Sequence, residues 1–459
     1  MKRRLPAVLF LLLPLGAVLA ACNGSSSASA AVPVADGSPP ATPKAACGPG
    51  SRPETGLQGR VSPADYDSGY ADSPITCNTE LVGGHITKDA LATVGGWKVE
   101  RYVDAQGHEC AYYDVTNIFP LSVGDGAVGV AVLDMDDPAQ PVLVRYLTTP
   151  AMLSPHESMI LNDRRGLLLA VLGNPAFGPG VVDVYDVSQD CRNPALKSIY
   201  PLGIFGHESG ISPDGNTFFS ASPISSTLAA IDIRNPSLPA LLWMRATNSH
   251  GLSIGADGNR AYVADTSGYL RILDISQIQA RVSDPQVTEV SRLTWDTASI
   301  PQNAVPITIH GKPFVMEVDE FGAASRVGAA RLIDISDETH PKVASDLRLE
   351  VHQPENFAAI ADDPGADSTS YGGYAAHYCN VPTRVDPAIV ACSMILSGLR
   401  IFDIRDPYHP REVAYFNAPA SKGAGAVSCP AFAPERKEVW YSDSSSGFYA
   451  VRVTNGAWP

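Results

Sequence analysis

The chain has 459 residues, of which 45% are hydrophobic, enough for a sizeable folded core. Its 48 acidic residues against 33 Lys and Arg give a formal net charge of −15 at pH 7. This acidity argues against nucleic acid or an anionic lipid surface as a partner, because both require a basic footprint on the protein.

The first 21 residues have the composition of a signal peptide. A basic start, KRR, precedes an apolar stretch, Leu5–Leu15, that is too short to span a bilayer stably. The sequence LAAC that follows resembles the bacterial lipobox, which implies cleavage before Cys22 and lipidation of its sulfur. An ordinary signal peptide in which Cys22 has no role is the alternative. We expect an exported lipoprotein of the cell membrane or outer membrane, anchored at Cys22, with its folded part outside the cytoplasm.

A stretch rich in Ser, Ala, Pro and Gly follows at 23–46 and cannot bury a core. We therefore predict that residues 22–72 form a flexible tether and that the folded domain occupies 73–459.

Six segments of that domain share one pattern, an apolar strand that runs into an aspartate, as in LAAIDIRNP, ARLIDISDE and LRIFDIRDP. Such a pattern is typical of a strand that leads into a turn, where the aspartate accepts hydrogen bonds from backbone amides two or three residues later. The aspartates are Asp134, Asp186, Asp232, Asp274, Asp334 and Asp403. A seventh, degenerate copy, FYAVRVTNG, closes the chain.

Between successive copies lie four short strand patterns separated by turns, and no helical period persists. Four-stranded sheets repeated radially are the blades of a β-propeller, so the seven copies predict an all-β, seven-bladed β-propeller. The last copy supplies a third strand and the chain ends before a fourth. We expect the N-terminal segment NTELVGG (78–84) to supply that outer strand and close the ring.

The copies ending AIDIRNP, LIDISDE and IFDIRDP resemble the LVIVD repeat of bacterial exported propeller proteins, over roughly residues 97–453. This resemblance implies the fold and export. It implies no catalytic residues, because that family has no generally established activity.

The chain has eight cysteines, and disulfides are the default expectation for an exported protein. Cys379 and Cys392 flank one predicted hairpin, and Cys77 with Cys110 would tie the N-terminal edge of the domain. Both pairings rest on proximity in the sequence. Seven cysteines remain besides Cys22, so at least one thiol is free or pairs between chains.

Histidines recur in register where the first strand of a blade begins. His156, His207 and His250 each lie seven residues before the aspartate of a turn, and His377 aligns with His207 by its spacing to a later apolar residue. Two other blades offer polar residues at the aligned position, Asn303 and Ser428. The first strands of a propeller line its channel, so these side chains are expected at one channel mouth.

Two interpretations of this ring of histidines stay open. Imidazoles that converge at the mouth would bind a transition metal, for which copper or zinc is best suited. Alternatively, each histidine fastens a loop by hydrogen bonds, a role that tolerates Asn and Ser at the same position, and this structural interpretation is favoured. Glu157 and Glu208 follow ring histidines, so they are expected to face the other way along their strands. Cys379 would join a metal site only if it were not in a disulfide.

Other polar residues are expected to be peripheral. Glu317, Asp319 and Glu320 lack the spacing of a calcium loop and are predicted to form a charged, exposed strand end. His340 and His409 are predicted to be solvated in turns. The Gly-, Ser- and Asp-rich stretch 353–378 leads into His377 and is expected over the channel face, as a lid, as part of a binding surface or as a tolerated insertion.

The leading functional hypothesis is a monomeric, lipid-anchored propeller that acts as a binding or scaffold module for a protein or small-molecule partner. The alternative is a metal-dependent enzyme, with copper or zinc and of oxidoreductase type, in which His156, His207, His250 and His377 are the ligands.

Overall fold

The computed structural model describes residues 39–85, 96–115, 128–173, 180–202, 205–322, 327–366, 373–419, 425–444 and 446–459. Its strands form seven antiparallel sheets arranged in a ring, which is a seven-bladed β-propeller. The predicted fold class is therefore confirmed. The predicted signal peptide, 1–21, and the predicted lipidation site, Cys22, lie outside the described residues.

Two strands precede the first blade in the chain. They are β1 (Ile75–Cys77), which joins blade 6, and β2 (Thr79–His85), which joins blade 7. Blades 1 to 3 each consist of four consecutive strands with the first one innermost. Their strands are β3 (Val99–Val103), β4 (Glu109–Asp114), β5 (Val130–Asp134) and β6 (Val142–Leu147); β7 (Ile160–Asn162), β8 (Leu167–Val171), β9 (Val181–Asp186) and β10 (Ala195–Pro201); and β11 (Glu208–Ile211), β12 (Thr217–Ser222), β13 (Thr227–Asp232) and β14 (Ala240–Ala246).

Blades 4 to 7 continue the same order along the chain. Their strands are β15 (Leu252–Ile254), β16 (Arg260–Asp265), β17 (Tyr269–Asp274) and β18 (Thr288–Leu293); β19 (Ile300–Ile309), β20 (Lys312–Glu320), β21 (Ala330–Asp334) and β22 (Lys342–Leu347); β23 (Tyr378–Asn380), β24 (Ile389–Ser393), β25 (Leu399–Asp403) and β26 (Arg411–Asn417); and β27 (Ala431–Ala433), β28 (Glu438–Asp443) and β29 (Gly447–Val453). Helices in the described residues are short. They are α1 (Pro63–Asp67), α2 (Pro150–Leu153), α3 (Ser276–Gln279) and α4 (Phe357–Ile360), with 3₁₀ turns at Tyr70–Asp72, Glu350–His352, Pro354–Asn356 and Pro434–Arg436.

Each of the six repeat aspartates is the last residue of the third strand of its blade. Its Oδ1 accepts a hydrogen bond from the backbone N–H two residues later, as Asp274 does from Ser276 at 2.9 Å and Asp403 from Arg405 at 3.1 Å. The same bond occurs in the other four copies. The repeat motif is thus a strand end with its turn, as the sequence pattern predicts.

An early strand and the last strand of the described chain meet in blade 7. Strand β2 pairs antiparallel with β29, from Thr79 opposite Val453 to His85 opposite Phe448, and forms the outer strand of that blade. The inner strand of blade 7 lies beside that of blade 1, through a parallel bridge between Lys98 and Cys429.

The prediction that residues 22–72 are a flexible tether was wrong for the part that the structure describes. Residues 35–459 form one compact unit. Val61 and Ala71 are buried in an apolar cluster with Ile75, Cys77 and Tyr415. Strand β1, which sequence analysis missed, pairs with β26 as a fifth strand of blade 6. The low-complexity composition ends near residue 46, and the apolar residues beyond it are sufficient to dock this segment on the blade.

Three disulfides join Cys47 to Cys77, Cys110 to Cys191, and Cys379 to Cys392. The predicted Cys77–Cys110 pairing was wrong, because the two cysteines lie in β1 of blade 6 and β4 of blade 1, whereas proximity in the sequence had suggested one edge. Cys429 is the free cysteine among the described residues. The disulfides are compatible with an exported protein. Within the described part of the chain, every helix is too short or too polar to cross a membrane.

Candidate metal centre

The four predicted ring histidines come together at one mouth of the channel. His156, His207, His250 and His377 precede or begin the inner strands of blades 2, 3, 4 and 6. Three are buried, and the His207 side chain keeps 15% of its surface exposed. The predicted convergence of these side chains is therefore what the structure shows. We call His156, His207, His250, His377, Glu157 and Glu320 the channel cluster.

Three of the four histidines are held by the same backbone contact. The N–H groups of His207, His250 and His377 donate to a carbonyl of the second strand of their own blade, at 2.8, 2.7 and 2.9 Å. His156 is different, because its φ of 52° lies in the left-handed region. His156 thus has the same spacing to its turn as His207 and His250 and reaches the same cluster, but its backbone conformation differs from theirs.

The expectation that Glu157 faces away from the histidines was wrong. It assumed the alternation of side chains along a strand, which the left-handed conformation of His156 interrupts. The Glu157 carboxylate lies among the imidazoles, with Oε1 3.2 Å from Nε2 of His377 and Oε2 3.3 Å from Nε2 of His207.

Glu208 lies in a second layer beside the cluster. Lys98 of blade 1 donates to its Oε1 at 3.0 Å, and Asn303 of blade 5 donates to the same oxygen at 2.9 Å. Oε2 lies 3.9 Å from Nδ1 of His250. The salt bridge between blades is one of the roles open to this residue from the sequence.

The prediction of an exposed acidic strand end at Glu317, Asp319 and Glu320 was also wrong, since all three are buried. Glu317 and Asp319 contact the guanidinium of Arg331. Glu320, the last residue of the long strand β20, reaches the channel cluster instead. Alternation along the strand could have separated Glu320 from the other two, because it points to the opposite face.

Five donor groups of the cluster form a closed ring. The Nε2 atoms of His207 and His250 are 3.0 Å apart, and Glu320 bridges His250 at 3.1 Å and His377 at 3.2 Å. Glu157 closes the ring between His377 at 3.2 Å and His207 at 3.3 Å. Ligands about 2.1 Å from one metal ion are about 3.0–3.4 Å from their neighbours, the spacing for right-angled to tetrahedral geometry. Neighbouring groups of the ring thus have the spacing of adjacent metal ligands. Within the described residues, the sets with one ligand atom per residue, all within 4.8 Å of one another, are His156, Glu157 and His207, and Glu157, His250 and Glu320.

His156 lies beside this ring and is not part of it. Its Nε2 is 4.0 Å from Oε1 of Glu157, and its imidazole packs at 4.2 Å from that of His207, centroid to centroid. Trp97 contacts the cluster from the same side, with its ring 5.3 Å from His156 and 5.0 Å from His377.

The histidines of the cluster also differ in the direction in which their surroundings shift their pKa values. Burial and the neighbouring His207 lower the pKa of His156 to about 3, so this imidazole is neutral. Burial opposes the charged form of His377, but hydrogen bonds to Glu157 and Glu320 outweigh it and raise its pKa to about 9. The pKa of His250 is likewise raised, because Glu320 and Glu157 outweigh the effect of burial. Nδ1 of His377 donates to the Val427 carbonyl at 2.6 Å, which turns Nε2 towards the carboxylates.

Several buried polar atoms of the site have no hydrogen-bond partner among the residues that the structure describes. They are Nδ1 of His156, His207 and His250, Oε2 of Glu157, and Oε2 of Glu208. A hydrogen-bonded fastening would satisfy such atoms. Among the described residues, no lysine or arginine lies within salt-bridge distance of Glu157 or Glu320.

The remaining predicted residues lie apart from the ring. Cys379 is in a disulfide, so its sulfur is not a free ligand. The Ser428 hydroxyl accepts a hydrogen bond from the Ser442 N–H. His340 and His409 are exposed in turns, which confirms that prediction.

The stretch 353–378 is described except for residues 367–372. Its Tyr374 hydroxyl donates to the Val61 carbonyl and to Asp363, so this stretch packs against the N-terminal segment before it reaches His377. A lid role for it stays a prediction.

Fold and site together define a seven-bladed β-propeller with a buried histidine–carboxylate cluster at its channel mouth. The chain contains an LVIVD repeat, matched at residues 251–284 in blade 4. A propeller with such repeats is consistent with a binding or scaffold module. No curated protein matches the chain.

Two solved structures are similar to this chain at a low level. A chain of the mitotic checkpoint complex is 12% identical, with a TM-score of 0.47, over 82% of this chain and 91% of that one. A functionally unknown protein from Desulfotomaculum acetoxidans is 14% identical, with a TM-score of 0.46, over 74% of this chain and 92% of that one. Likenesses at this level carry no argument about function.

Proposed function

We propose that the channel cluster binds one divalent transition-metal ion and makes this propeller a metal-dependent protein. The observation that carries the proposal is the closed ring of three imidazole nitrogens and two carboxylates spaced 3.0–3.3 Å apart. Copper and zinc suit the imidazoles. The two carboxylates extend the candidates to iron and manganese, because oxygen donors favour harder ions.

Charge supports a metal over a hydrogen-bonded fastening. Glu157 and Glu320 are buried without a fixed cation, and burying an unpaired carboxylate costs several kcal/mol, about 3 or more. In the metal-free protein, the negative charges of these two carboxylates are balanced by protons on His250 and His377, whose pKa values are raised. A divalent ion replaces these protons and binds the same nitrogens and oxygens.

A metal in this ring has a chemical use. Glu157, His207, His250, Glu320 and His377 would hold the ion and would leave it one further position for a molecule from solvent. The bound ion would supply Lewis-acid chemistry towards that molecule or would lower the pKa of a bound water. The propeller acts as the rigid scaffold that holds ligands from five blades in place.

Elemental analysis tests the proposal. The domain from residue 35 onward is exported to a periplasm without an affinity tag and purified without chelators. We expect about one ion per chain, retained because its ligands are preorganised. A His207→Ala/His250→Ala variant should lose it, and a matched His340→Ala/His409→Ala variant, altered in exposed turns, should keep it. A protein that stays empty after zinc, copper, iron and manganese are offered would overturn the proposal and restore the structural interpretation.

The site of action follows from the N-terminus. The chain is exported and anchored through a lipidated Cys22, and the propeller functions as a monomer outside the cytoplasm. The signal-peptide pattern and the three disulfides support this localisation. Radiolabelled palmitate should be incorporated into the full chain, and Cys22→Ser should abolish the label and release the protein from the membrane fraction. A labelled or membrane-bound Cys22→Ser variant would contradict the anchor.

A further inference from the structure

We propose that His156 is not a ligand of the metal but holds a small oxygen-donor molecule, such as water, hydroxide or dioxygen, on the sixth position of the ion. This inference rests on the proposed metal site and assigns its histidines two different roles.

The backbone separates His156 from the other three histidines. His207, His250 and His377 each donate an equivalent backbone hydrogen bond to the second strand of their own blade, which places their Nε2 atoms in the ring. His156 has a left-handed backbone, and its Nε2 lies 4.0 Å from the nearest carboxylate oxygen of the ring, against 3.0–3.3 Å within it. That distance exceeds the spacing of adjacent ligands within the ring, so His156 lies outside the ring.

The exposed side of the cluster is the side of His156. The side chains of His207 and His156 keep 15% and 8% of their surface exposed, whereas those of His250 and His377 keep 4% and 2%. Solvent therefore approaches the ion past His156 and His207. Among the described residues, Nδ1 of His156 has no hydrogen-bond partner, and Nε2 is the nitrogen of this imidazole that lies towards the ring.

Trp97 limits the size of the molecule that can bind there. Its indole ring packs against both His156 and His377, at 5.3 and 5.0 Å between centroids, and forms an apolar wall next to the proposed position. A small molecule bound there would lie beside this wall and would accept or donate one hydrogen bond at His156.

The test uses the folded chain loaded with cobalt(II), whose visible spectrum reports ligands, and azide as the probe. Wild type and His156→Ala should each bind one cobalt with affinities within about threefold of each other, since no ligand is removed. Azide affinity should fall about tenfold in His156→Ala, as expected for one lost hydrogen bond, and His156→Gln should restore part of it. His352→Gln, a buried histidine bonded to the Tyr374 carbonyl outside the cluster, is the matched control.

Four results would overturn the inference. Loss of cobalt from both His156 variants would make this residue a ligand, and two cobalt ions per wild-type chain would place a second ion at His156, Glu157 and His207. Unchanged azide affinity in His156→Ala would remove its role. A wild-type chain that binds no cobalt or any other ion would instead reject the metal site itself, and the first three results leave that site standing.

Discussion

Among the clusters of buried carboxylates in the described residues, two are compensated in different ways. Under the N-terminal segment, Glu54 and Glu412 share the fully buried guanidinium of Arg400, which also donates to the Ser397 carbonyl at 2.7 Å and lies 4.4 Å from the Tyr415 ring centroid. We call these residues the Arg400 cluster. At the channel mouth, Glu157 and Glu320 face imidazoles alone.

This difference in the compensating group distinguishes a cluster of charges that only stabilises the fold from a site that can bind a ligand. A cluster that only holds the fold carries its own cation, because burying an unpaired charge is costly. The channel cluster carries titratable nitrogens in place of a fixed cation, so its charge can be supplied from outside. The same burial of acids thus indicates stability in one region and ligand binding in the other.

The largest effect is expected where the fixed cation is removed. Arg400→Met leaves Glu54 and Glu412 buried without a cation, so the free energy of unfolding should fall by about 3–5 kcal/mol in urea denaturation. The metal content of the folded protein should not change. A loss below about 1 kcal/mol would show that the Arg400 cluster does not depend on its arginine.

Lys98→Met tests whether the nearest lysine belongs to the channel cluster. Stability should fall by about 3 kcal/mol, at the lower end of the range for a broken buried pair, because Asn303 still donates to Glu208. Metal affinity measured by calorimetry should stay constant or rise, since a positive charge near the ion is removed. Weaker metal binding would mean that Lys98 and Glu208 position the ligands.

Metal addition should stabilise the wild-type protein. At a free metal concentration 100 times the Kd, the free energy of unfolding should increase by about 2.7 kcal/mol. The increase should be the same in Arg400→Met, because the two clusters share no residue. A metal effect that depends on Arg400, in the same denaturation series, would contradict the separation of the two regions.

The smallest effect is expected for Glu320→Gln without metal. The amide keeps the shape of the side chain and removes a charge that no fixed cation balances, so unfolding of the metal-free protein should change by less than about 1 kcal/mol. Added metal should then give no stabilisation, while His409→Ala should respond as wild type does. A loss of about 3 kcal/mol in the metal-free variant would favour the structural fastening.

The sequence predicted the histidines of the site but not the positions of its two carboxylates. The repeat register found the four histidines, including His377, whose spacing to its turn differs from that of the others. It missed the position of Glu157, because the left-handed conformation at His156 breaks the alternation on which the prediction depended. It missed Glu320, because alternation along the strand separates Glu320 from Glu317 and Asp319 but does not show that its face is buried until the length of β20 and the path of its neighbours are known.

The sequence by itself determined the seven blades and the turn at the end of each third strand, since both depend on local patterns of apolar residues, aspartates and prolines that repeat along the chain. Only the tertiary structure decided the partner of Cys77, the docking of residues 39–72, and the neutralisation of each buried acid. Those outcomes depend on which residues the ring of blades brings together across hundreds of positions, as with Arg400 and Glu54. The contacts that give the channel cluster its chemistry are of this long-range kind.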